Sequence, residues 1–482
     1  MHVRHFINGE HADSADGATF DSLTPIDNTV LATVALGGAA EADRAVTAAR
    51  AAFEPWSRTS ARARAALLHR VADLIDARRD ELAEWDTRDM GAPISDTRAM
   101  DVPRSAEIFR FFAEWAAGAG TQAYARPEDG ILTYTLREPL GVIAAIAPWN
   151  LPLLSMAWKV APALAFGCTV ITKPAEQSPV TATLLAELCA EAGVPPGVVS
   201  VVHGSGPGSA GEALVSHPGV DGVAFTGASA TGRALMRSGA ATLKRLSLEL
   251  GGKSASIICA DADLDEAVPA SARAILGNSG QICVAGSRAL VHRSVYDEFL
   301  ARFTDLAATW VPGDPMDPAT RLGPLVSREH LSRVLGYIDL ARAEGAKVLI
   351  GGGPPARPDL AAGNYLEPTV LVGADNSMRC VREEIFGPVL AVLPFDDLGE
   401  AIAVANDSPY GLAGMAWTQS LDTAQRIARE VRTGNMWINC FSVRDPRAPF
   451  GGYGDSGIGR EGGDHSAEFY TELKSVVLKT RV

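Results

Sequence analysis

The 482-residue chain has few cysteines and a shortage of positive charge, and both shortages narrow its class. The six cysteines are scattered without paired spacing, which argues against a disulfide framework or a Cys-x-x-Cys metal site and favours a reducing compartment. Lysines and arginines number 43 against 57 aspartates and glutamates, a formal net charge of −14. Nucleic acid and anionic membranes are therefore disfavoured as partners, and no metal site is expected.

Long hydrophobic runs are also missing. The most apolar stretch, residues 142–154, is broken by Pro148 and Asn150 and is too short to span a bilayer. The first ten residues lack the long apolar core of a signal peptide. With 47% hydrophobic residues, the chain is expected to be a cytoplasmic, globular protein of two or three domains.

The first half of the chain contains short strands, then helices, then an alternating series. Residues 5–35 favour strands, with a hairpin signal at Asn8-Gly9, and residues 39–120 have helical spacing. Strands alternate with helices over residues 133–250. The clearest examples are a strand at 169–173, a helix at 182–192 and a strand at 222–225. This alternation predicts a doubly wound parallel sheet that binds ligands at the carboxyl ends of its strands.

A second alternating series predicts a second α/β domain over residues 254–435. A glycine-rich, charged loop follows Asn439, and a last strand is predicted at residues 475–479. The fold class is therefore α/β with two sheet-containing domains.

Cys283 is the candidate nucleophile. It lies between Gly280 and Gly286, where small residues leave room for a ligand to reach the sulfur. Most cysteines are inert buried residues, so a nucleophile also needs a base and electrophile-stabilising donors elsewhere in the chain. Glu249, between two leucines, is either paired structurally or a general base with a raised pKa. Asn150, after a strand, is either a turn residue or a neutral donor to an oxyanion.

Two segments could bind the phosphates of a nucleotide. The stretch Gly206–Gly211 matches Gly-x-Gly-x-x-Gly, but 47 glycines make chance matches common. The stretch Phe225–Gly232 is the better candidate, because a strand runs directly into a helix N-terminus there. Lys173 and Glu176, where another strand ends, are either a solvated pair or ligands of ribose hydroxyls. Glu176 would favour NAD over a 2′-phosphorylated cofactor.

Taken together, these segments resemble the aldehyde dehydrogenase superfamily over essentially the whole chain. The motifs appear in that family's order. They are Pro148-Trp-Asn150, Lys173-Pro-Ala-Glu176, Phe225-Thr-Gly227 with Gly232, Leu248-Glu249-Leu-Gly-Gly-Lys253, Gly280-Gln-Ile-Cys283, Glu383-Glu384-Ile-Phe386-Gly-Pro and Pro449-Phe-Gly-Gly452.

The resemblance implies a role for each motif in an NAD-dependent oxidation of aldehydes to carboxylic acids. Cys283 would be the nucleophile, Glu249 the base, and Asn150 with the Cys283 backbone N–H the oxyanion hole. Lys159 and Glu461 would relay protons. The implied cofactor-binding residues are Trp149, Lys173, Glu176, Phe225, Gly227, Ser229, Gly232, Glu384 and Phe386. Many members have a hydroxyl residue at Ala228, so that phosphate contact is lost or passes to Ser229. Many also have lysine at Gly454.

The resemblance also implies an aldehyde dehydrogenase-like fold with three parts. Residues 1–120 and 140–250, with 440–468 returning, would form the NAD-binding domain, and 251–439 the catalytic domain. Residues 121–139 and 469–482 would be oligomerisation strands of a homodimer or homotetramer.

A finer resemblance concerns the substrate. Asp101-Val-Pro-Arg104 and Arg444-Asp-Pro-Arg447 look like the branch that oxidises muconic semialdehydes from aromatic ring cleavage. Arg104 and Arg444, with Arg447 a weaker third, would bind a substrate carboxylate, since arginine grips carboxylates in a two-pronged way. Trp158 would line the substrate tunnel. The alternatives are surface arginines in an enzyme for neutral aldehydes, a silent protein that keeps the fold, and an acylating enzyme that uses coenzyme A.

Overall fold

The structure, a computed structural model, describes residues 1–479 and contains four β-sheets with helices packed on them. The strands are β1 (His2–Val3), β2 (His5–Ile7), β3 (Glu10–Ala12), β4 (Thr19–Leu23), β5 (Val30–Ala35), β6 (Ala123–Arg126), β7 (Ile131–Pro139), β8 (Val142–Ile146), β9 (Thr169–Lys173), β10 (Val199–Val201), β11 (Gly222–Thr226), β12 (Arg245–Glu249), β13 (Ala255–Ile258), β14 (Arg288–His292), β15 (Lys347–Ile350), β16 (Thr369–Val372), β17 (Val389–Phe395), β18 (Ala413–Trp417), β19 (Asn435–Ile438), β20 (Gly457–Ile458) and β21 (Thr471–Lys479).

The helices are α1 (Ala39–Ser57), α2 (Ala61–Ala77), α3 (Arg79–Met90), α4 (Ile94–Asp96), α5 (Val102–Gly118), α6 (Pro152–Ala165), α7 (Val180–Glu191), α8 (Ala210–Ser216), α9 (Ser229–Gly239), α10 (Leu264–Leu276), α11 (Tyr296–Ala307), α12 (Arg328–Glu344), α13 (Arg379–Arg382), α14 (Leu398–Asn406), α15 (Leu421–Glu430) and α16 (Gly463–Tyr470). A π-helical turn, Thr97–Asp101, joins α4 to α5.

The first large sheet has eight strands, and the ends of its parallel strands hold polar residues of a cavity. Its order is β20-β12-β11-β8-β9-β10-β2-β3, and the five strands from β12 to β10 are parallel. Strands β8 and β9 are buried along their whole length, as expected of parallel strands covered by helices on both faces. The register pairs Ile146 with Lys173 and Thr226 with Glu249, so these strands end at one edge of the sheet.

The second large sheet has seven strands and adjoins the segment that contains Cys283. Its order is β15-β16-β17-β14-β13-β18-β19, and only β15 runs antiparallel to its neighbour. Separate hydrophobic clusters cover its two faces, one including Val334 and Ile338 of α12, the other Phe299 and Phe303 of α11. The segment between α10 and β14 contains Cys283.

Two three-stranded sheets complete the fold. One has the order β1-β5-β4. In the other, β7 pairs antiparallel with both β6 and β21, and the pairing with β21 runs over nine residues. This second sheet exposes several apolar side chains to solvent, among them Tyr124, Leu132, Leu136, Leu473 and Val477.

Local expectations from the sequence agree closely with these elements. Asn8 and Gly9 both have positive φ, at 55° and 83°, and connect β2 to β3 as a tight hairpin. The helix expected at 182–192 is α7, and the last strand begins four residues before the expected position 475. No helix within residues 1–479 combines the length and apolar character needed to cross a membrane. The same residues contain no group of three or more His, Cys, Asp or Glu side chains placed to hold a metal ion.

Candidate active site

Polar side chains gather where the parallel strands of the eight-stranded sheet end. Lys173 ends β9, Thr226 ends β11 and Glu249 ends β12, while Asn150 lies four residues beyond β8. Since the carboxyl ends of parallel strands meet at one edge, the topology alone brings these residues together.

The loop that contains Cys283 reaches this edge through an irregular turn after α10. Asn278 and Ser279 adopt left-handed backbone conformations, with φ of 47° and 55°. The Asn150 amide Nδ2 donates to the Gln281 carbonyl at 2.7 Å, and the Asn278 amide donates to the Asn150 carbonyl at 2.9 Å. These two amides hold the loop against the end of β8, in a left-handed conformation that is sparsely populated and typical of functional sites.

A cavity of about 550 Å³ lies between the two large sheets. Cys283 and Glu249 line its inner end, and Arg104, Trp158 and Arg444 contribute further along. Several apolar side chains complete the wall, including Leu154, Trp310, Trp437, Phe441 and Phe450. A concave, largely apolar pocket with a few convergent polar groups is the usual form of a small-molecule site.

The surroundings of Cys283 disfavour its thiolate form. Burial raises the pKa of Cys283 to about 12, the nearby carboxylates of Glu384 and Glu249 raise it further, and Arg444 opposes them. Because only the thiolate is strongly nucleophilic, Cys283 requires a base in the same cavity.

Glu249 meets that requirement by position. Its side chain is buried, and neither carboxylate oxygen has a hydrogen-bond partner within the described chain. Burial, followed by repulsion from Glu461, raises the pKa of Glu249 well above the ordinary value of a glutamate. Gly451 makes room for this carboxylate, since a Cβ there would lie 2.7 Å from Oε1 of Glu249 and φ is +152°. A buried carboxylate with free oxygens and a raised pKa suits a general base.

Lys159 connects Glu461 to strand β11. Its ammonium donates to the Thr226 hydroxyl at 2.7 Å and to Glu461 at 3.1 Å, and the side chain is buried. Lys159, Glu249 and Glu461 all line the cavity, so the groups predicted to relay protons lie together.

Arg444 is held between two aromatic rings. Its guanidinium carbon lies 3.8 Å from the centroid of Trp158 and 3.9 Å from that of Phe450. Nε and Nη2 are buried without a hydrogen-bond partner among the described residues. Burial, reinforced by the charge of Arg104, lowers the pKa of Arg444 to about 10. A guanidinium with free donors, fixed by stacking, is prepared for a planar anion.

The other two predicted arginines differ. Arg104, in the first turn of α5, lines the same cavity as Arg444. Arg447 is 68% exposed and forms an ion pair with Asp445 at 2.5 Å. The structure therefore does not bring Arg447 to the cavity, because its guanidinium is already paired in the surface loop.

The Phe225–Gly232 turn offers a phosphate site. Helix α9 begins at Ser229, and no side chain caps its first N–H groups, which suits a bound anion. The Ser229 hydroxyl donates to the Asp455 carbonyl at 2.7 Å, so its one proton is not free for the phosphate contact expected at this residue. Gly454 cannot be lysine without a change of backbone, since φ is +53° and a Cβ would lie 2.6 Å from the Pro409 carbonyl.

Two further carboxylates, Glu176 and Glu384, are predicted to bind the cofactor. Glu176 is half-exposed beside the Lys173 ammonium at 3.5 Å. Glu384 accepts a hydrogen bond from the Gly252 N–H at 2.8 Å, and burial raises its pKa. Gly251 allows this approach, because a Cβ there would collide with the Glu384 carboxylate. Carboxylates for ribose hydroxyls and open N–H groups for phosphate are the donor set that a dinucleotide requires, so the residues fit NAD.

Phe386 and Trp149 form an aromatic wall. Their ring centroids are 5.4 Å apart in an edge-to-face arrangement, and His330 packs against both. Phe386 has a φ of +64°, unusual for a bulky residue, and its carbonyl lies 2.7 Å from His330 Nε2. Trp149 therefore lies beside Phe386, another of the residues predicted to bind the cofactor.

Sequence reasoning missed several residues of the site. Asn278 and His330 lie outside the quoted motifs and Thr226 lies inside one without an assigned role, so each is recognised only from its hydrogen bonds. Phe450 stood inside a quoted motif, but nothing in one sequence shows that its ring covers Arg444.

Comparison with known proteins agrees with this geometry. The model of the aldehyde dehydrogenase family matches residues 11–476. The chain is similar to 2-hydroxymuconic semialdehyde dehydrogenase of Pseudomonas sp. (strain CF600), with 47% identity over 99% of each chain. It is also similar to 2-aminomuconic semialdehyde dehydrogenase of Danio rerio, with 46% identity over 95% of each chain. The chain therefore belongs to the aldehyde dehydrogenase family, as the motifs predicted.

A solved structure confirms the fold. The crystal structure of indole-3-acetaldehyde dehydrogenase in complex with NAD+ matches with a TM-score of 0.97 and 45% identity, covering 99% of this chain and 97% of that one. The predicted α/β class with doubly wound parallel sheets is confirmed.

Proposed function

We propose that this chain oxidises an acidic semialdehyde of the muconic type to the dicarboxylic acid, with NAD+ as oxidant. The observation that carries the substrate class is Arg444, which is fixed between Trp158 and Phe450 with two buried donors free. Sequence identity does not decide the substrate, since relatives named for acidic and for neutral aldehydes are 47% and 45% identical. A fixed cation in the cavity favours the acidic one.

The cofactor would be held by the groups that fit it. The N-terminus of α9 would receive the pyrophosphate, Lys173 and Glu176 one ribose, and Glu384 the other. Phe386 would pack near the nicotinamide. When bound, NAD+ supplies a two-electron acceptor for the hydride of the aldehyde carbon. The exposed carboxylate of Glu176 supports NAD over a cofactor with a 2′-phosphate.

The chain's own groups carry the remaining chemistry. Cys283 adds its sulfur to the aldehyde carbon, and Glu249 accepts the thiol proton because both its oxygens are free. The Asn150 amide and the Cys283 backbone N–H stabilise the oxyanion. After oxidation to the thioester, Glu249 deprotonates the water that hydrolyses it, and Lys159 with Glu461 passes that proton outward. Retention of Cys283, Glu249 and Asn150 argues against a silent protein, and Glu249 argues against transfer to coenzyme A.

The remaining organisation is part of the proposal. Residues 1–120, 140–250 and 440–468 would form the NAD-binding domain, and 251–439 the catalytic domain. The exposed apolar face of the β21-β7-β6 sheet supports pairing with a second copy, in a homodimer or homotetramer. A cytoplasmic location is consistent with six cysteines that form no disulfide.

The test compares 2-hydroxymuconic semialdehyde with hexanal, a neutral aldehyde of the same carbon number, by NADH absorbance. The unmodified enzyme should prefer the acid by roughly a hundredfold in kcat/KM. Arg444→Met should remove most of that preference, while Arg447→Met, in the same loop but ion-paired outside the cavity, should preserve it. Equal losses on both aldehydes in Arg444→Met would contradict the carboxylate assignment.

A further inference from the structure

A second unpartnered charge lies in the cavity wall. Asp101 is only 7% exposed and lines the cavity. Within residues 1–479 its carboxylate forms no ion pair and accepts no hydrogen bond. Burial raises the pKa of Asp101 to about 7, although Arg104 opposes the rise. A buried carboxylate in this state is costly unless a partner arrives from outside the chain.

Two neighbouring acids each make one hydrogen bond to another helix, although Oδ2 of Asp86 has no partner among the described residues. Asp86 accepts a hydrogen bond from the Thr181 hydroxyl at 2.7 Å, and Asp89 accepts one from the Val180 N–H at 3.0 Å. Both tie α3 to α7. Asp101 makes no such tie, although it lies close enough to Asp86 to raise the pKa of that carboxyl.

The backbone presents Asp101 and Arg104 side by side. Asp101 ends the π-helical turn Thr97–Asp101, and Arg104 follows three residues later in α5. A spacing of three puts two side chains on one helix face, and π-helical turns are frequent at functional sites. Arg104 likewise forms no ion pair or hydrogen bond with the described residues. The cavity wall therefore offers an acceptor and a donor next to each other, and neither one satisfies the other.

We infer that Asp101 is a specificity residue that accepts a hydrogen bond from a hydroxyl or amino group on the carbon next to the substrate's carboxylate. The inference rests on the proposed function, because the carboxylate must lie at the arginines. A carboxylate held by Arg104 and Arg444 brings its neighbouring substituent to the acceptor beside Arg104. The expected substrates are therefore semialdehydes of 2-hydroxy and 2-amino acids. A substrate acid that lacks the hydroxyl or amino group would leave the Asp101 carboxylate without a partner.

The test measures kcat/KM for three six-carbon aldehydes. These are 2-hydroxymuconic semialdehyde, adipic semialdehyde, which has the carboxylate but no adjacent donor, and hexanal, which has neither. Asp101→Ala should lower the value for the hydroxy acid about tenfold to a hundredfold, with less than about a threefold loss on adipic semialdehyde. Asp101→Asn should fall between, because its amide oxygen still accepts a hydrogen bond. Glu114→Gln, on the exposed face of α5, is the matched control.

The pattern of losses over the three aldehydes, together with the melting temperature, decides whether Asp101 is a specificity residue. Equal losses on both acids would overturn the inference, since Asp101 would then act through Arg104. Equal losses on all three aldehydes with a lowered melting temperature would also overturn it, because Asp101 would be structural. An unchanged or raised melting temperature supports it, since the substitution removes an unpaired buried carboxylate. An unmodified enzyme with no preference for either acid over hexanal would instead overturn the proposed function.

Discussion

Arg288 and Arg444 are both buried, but they differ in their hydrogen bonding. Arg288 lies in the seven-stranded sheet, which belongs to the structural frame of the protein, whereas Arg444 lines the cavity. Arg288 donates to the carbonyls of Lys253, Val404 and Ala405 at 2.9 to 3.0 Å and also to Asn376. Arg444 is held by ring faces and leaves Nε and Nη2 without partners. Burial lowers the pKa of each to about 10.

The difference separates structural charge from functional charge. Arg288 ties β14 to the end of α14, so the fold itself satisfies its donors. In the cavity, Arg444 and Glu249 are buried with unsatisfied polar atoms, and Asp101 is buried as a residue without an ion pair in the described chain, which a fold tolerates where a ligand completes the set. Substitutions should therefore affect stability in one region and activity in the other.

The largest expected effect is at Cys283. Cys283→Ala should reduce aldehyde oxidation at least about 10,000-fold, because the covalent route is lost. The same change should leave the melting temperature nearly unaltered, since the sulfur accepts only a local hydrogen bond from the backbone of Val284. Cys440→Ala, another partly exposed thiol, serves as the control and should remain active. Substantial activity in Cys283→Ala would refute the assignment of the nucleophile.

Glu249 comes next. Glu249→Gln should lower kcat about 100- to 1,000-fold at neutral pH, because the amide cannot accept the thiol or water proton. The thiol must then ionise unaided, and burial still raises its pKa although the contribution of the Glu249 charge is gone. The residual rate should consequently keep rising with pH above neutrality, whereas the unmodified enzyme should level off earlier. A flat profile in the variant would show that Glu249 does not take these protons.

A smaller effect, on the free energy of unfolding, is expected from substituting Arg288 and Arg444. Arg288→Met should destabilise the protein by about 3 kcal/mol, since several buried acceptors lose their donor. Arg444→Met should change the free energy of unfolding by less than about 1 kcal/mol, because no such bond is lost. Urea unfolding followed by fluorescence measures both. Similar losses of unfolding free energy in the two variants would show that Arg444 is as structural as Arg288.

The sequence was informative wherever a local pattern was enough. Alternating strands and helices predicted the parallel sheets, and the strand ends then placed Lys173 and Glu249 at one edge. Asn8-Gly9 predicted its hairpin because positive φ is a property of the two residues themselves. Family motifs supplied Cys283, which no spacing rule distinguishes from the other cysteines.

The sequence was uninformative where distant side chains satisfy one another or fail to. Arg444 and Arg447 are three residues apart in one loop, yet one is stacked between rings and the other is paired with Asp445. Only the folded chain shows which of them has free donors. The Ser229 hydroxyl is bonded to Asp455, 226 residues away, and nothing local indicates that bond.

The smallest effect is expected at two buried histidines that stack on each other. His5 and His203 stack with centroids 5.8 Å apart, His5 Nδ1 accepts from the His203 N–H, and His203 Nε2 lies 3.0 Å from the Thr183 hydroxyl. Burial lowers the pKa of His5 to about 4 and that of His203 to about 3. An unfolded histidine titrates near 6.5.

The sign of the pH effect follows from these values. Below pH 6.5 the unfolded chain binds protons that the folded chain excludes, so these histidines destabilise the fold increasingly as the pH falls towards 4. His203→Gln removes one such site, and the loss of stability between pH 6.5 and pH 4 should be smaller than in the unmodified protein. Urea midpoints across that range measure the difference, and parallel curves for His203→Gln and the unmodified protein would show that His203 is protonated in the folded state.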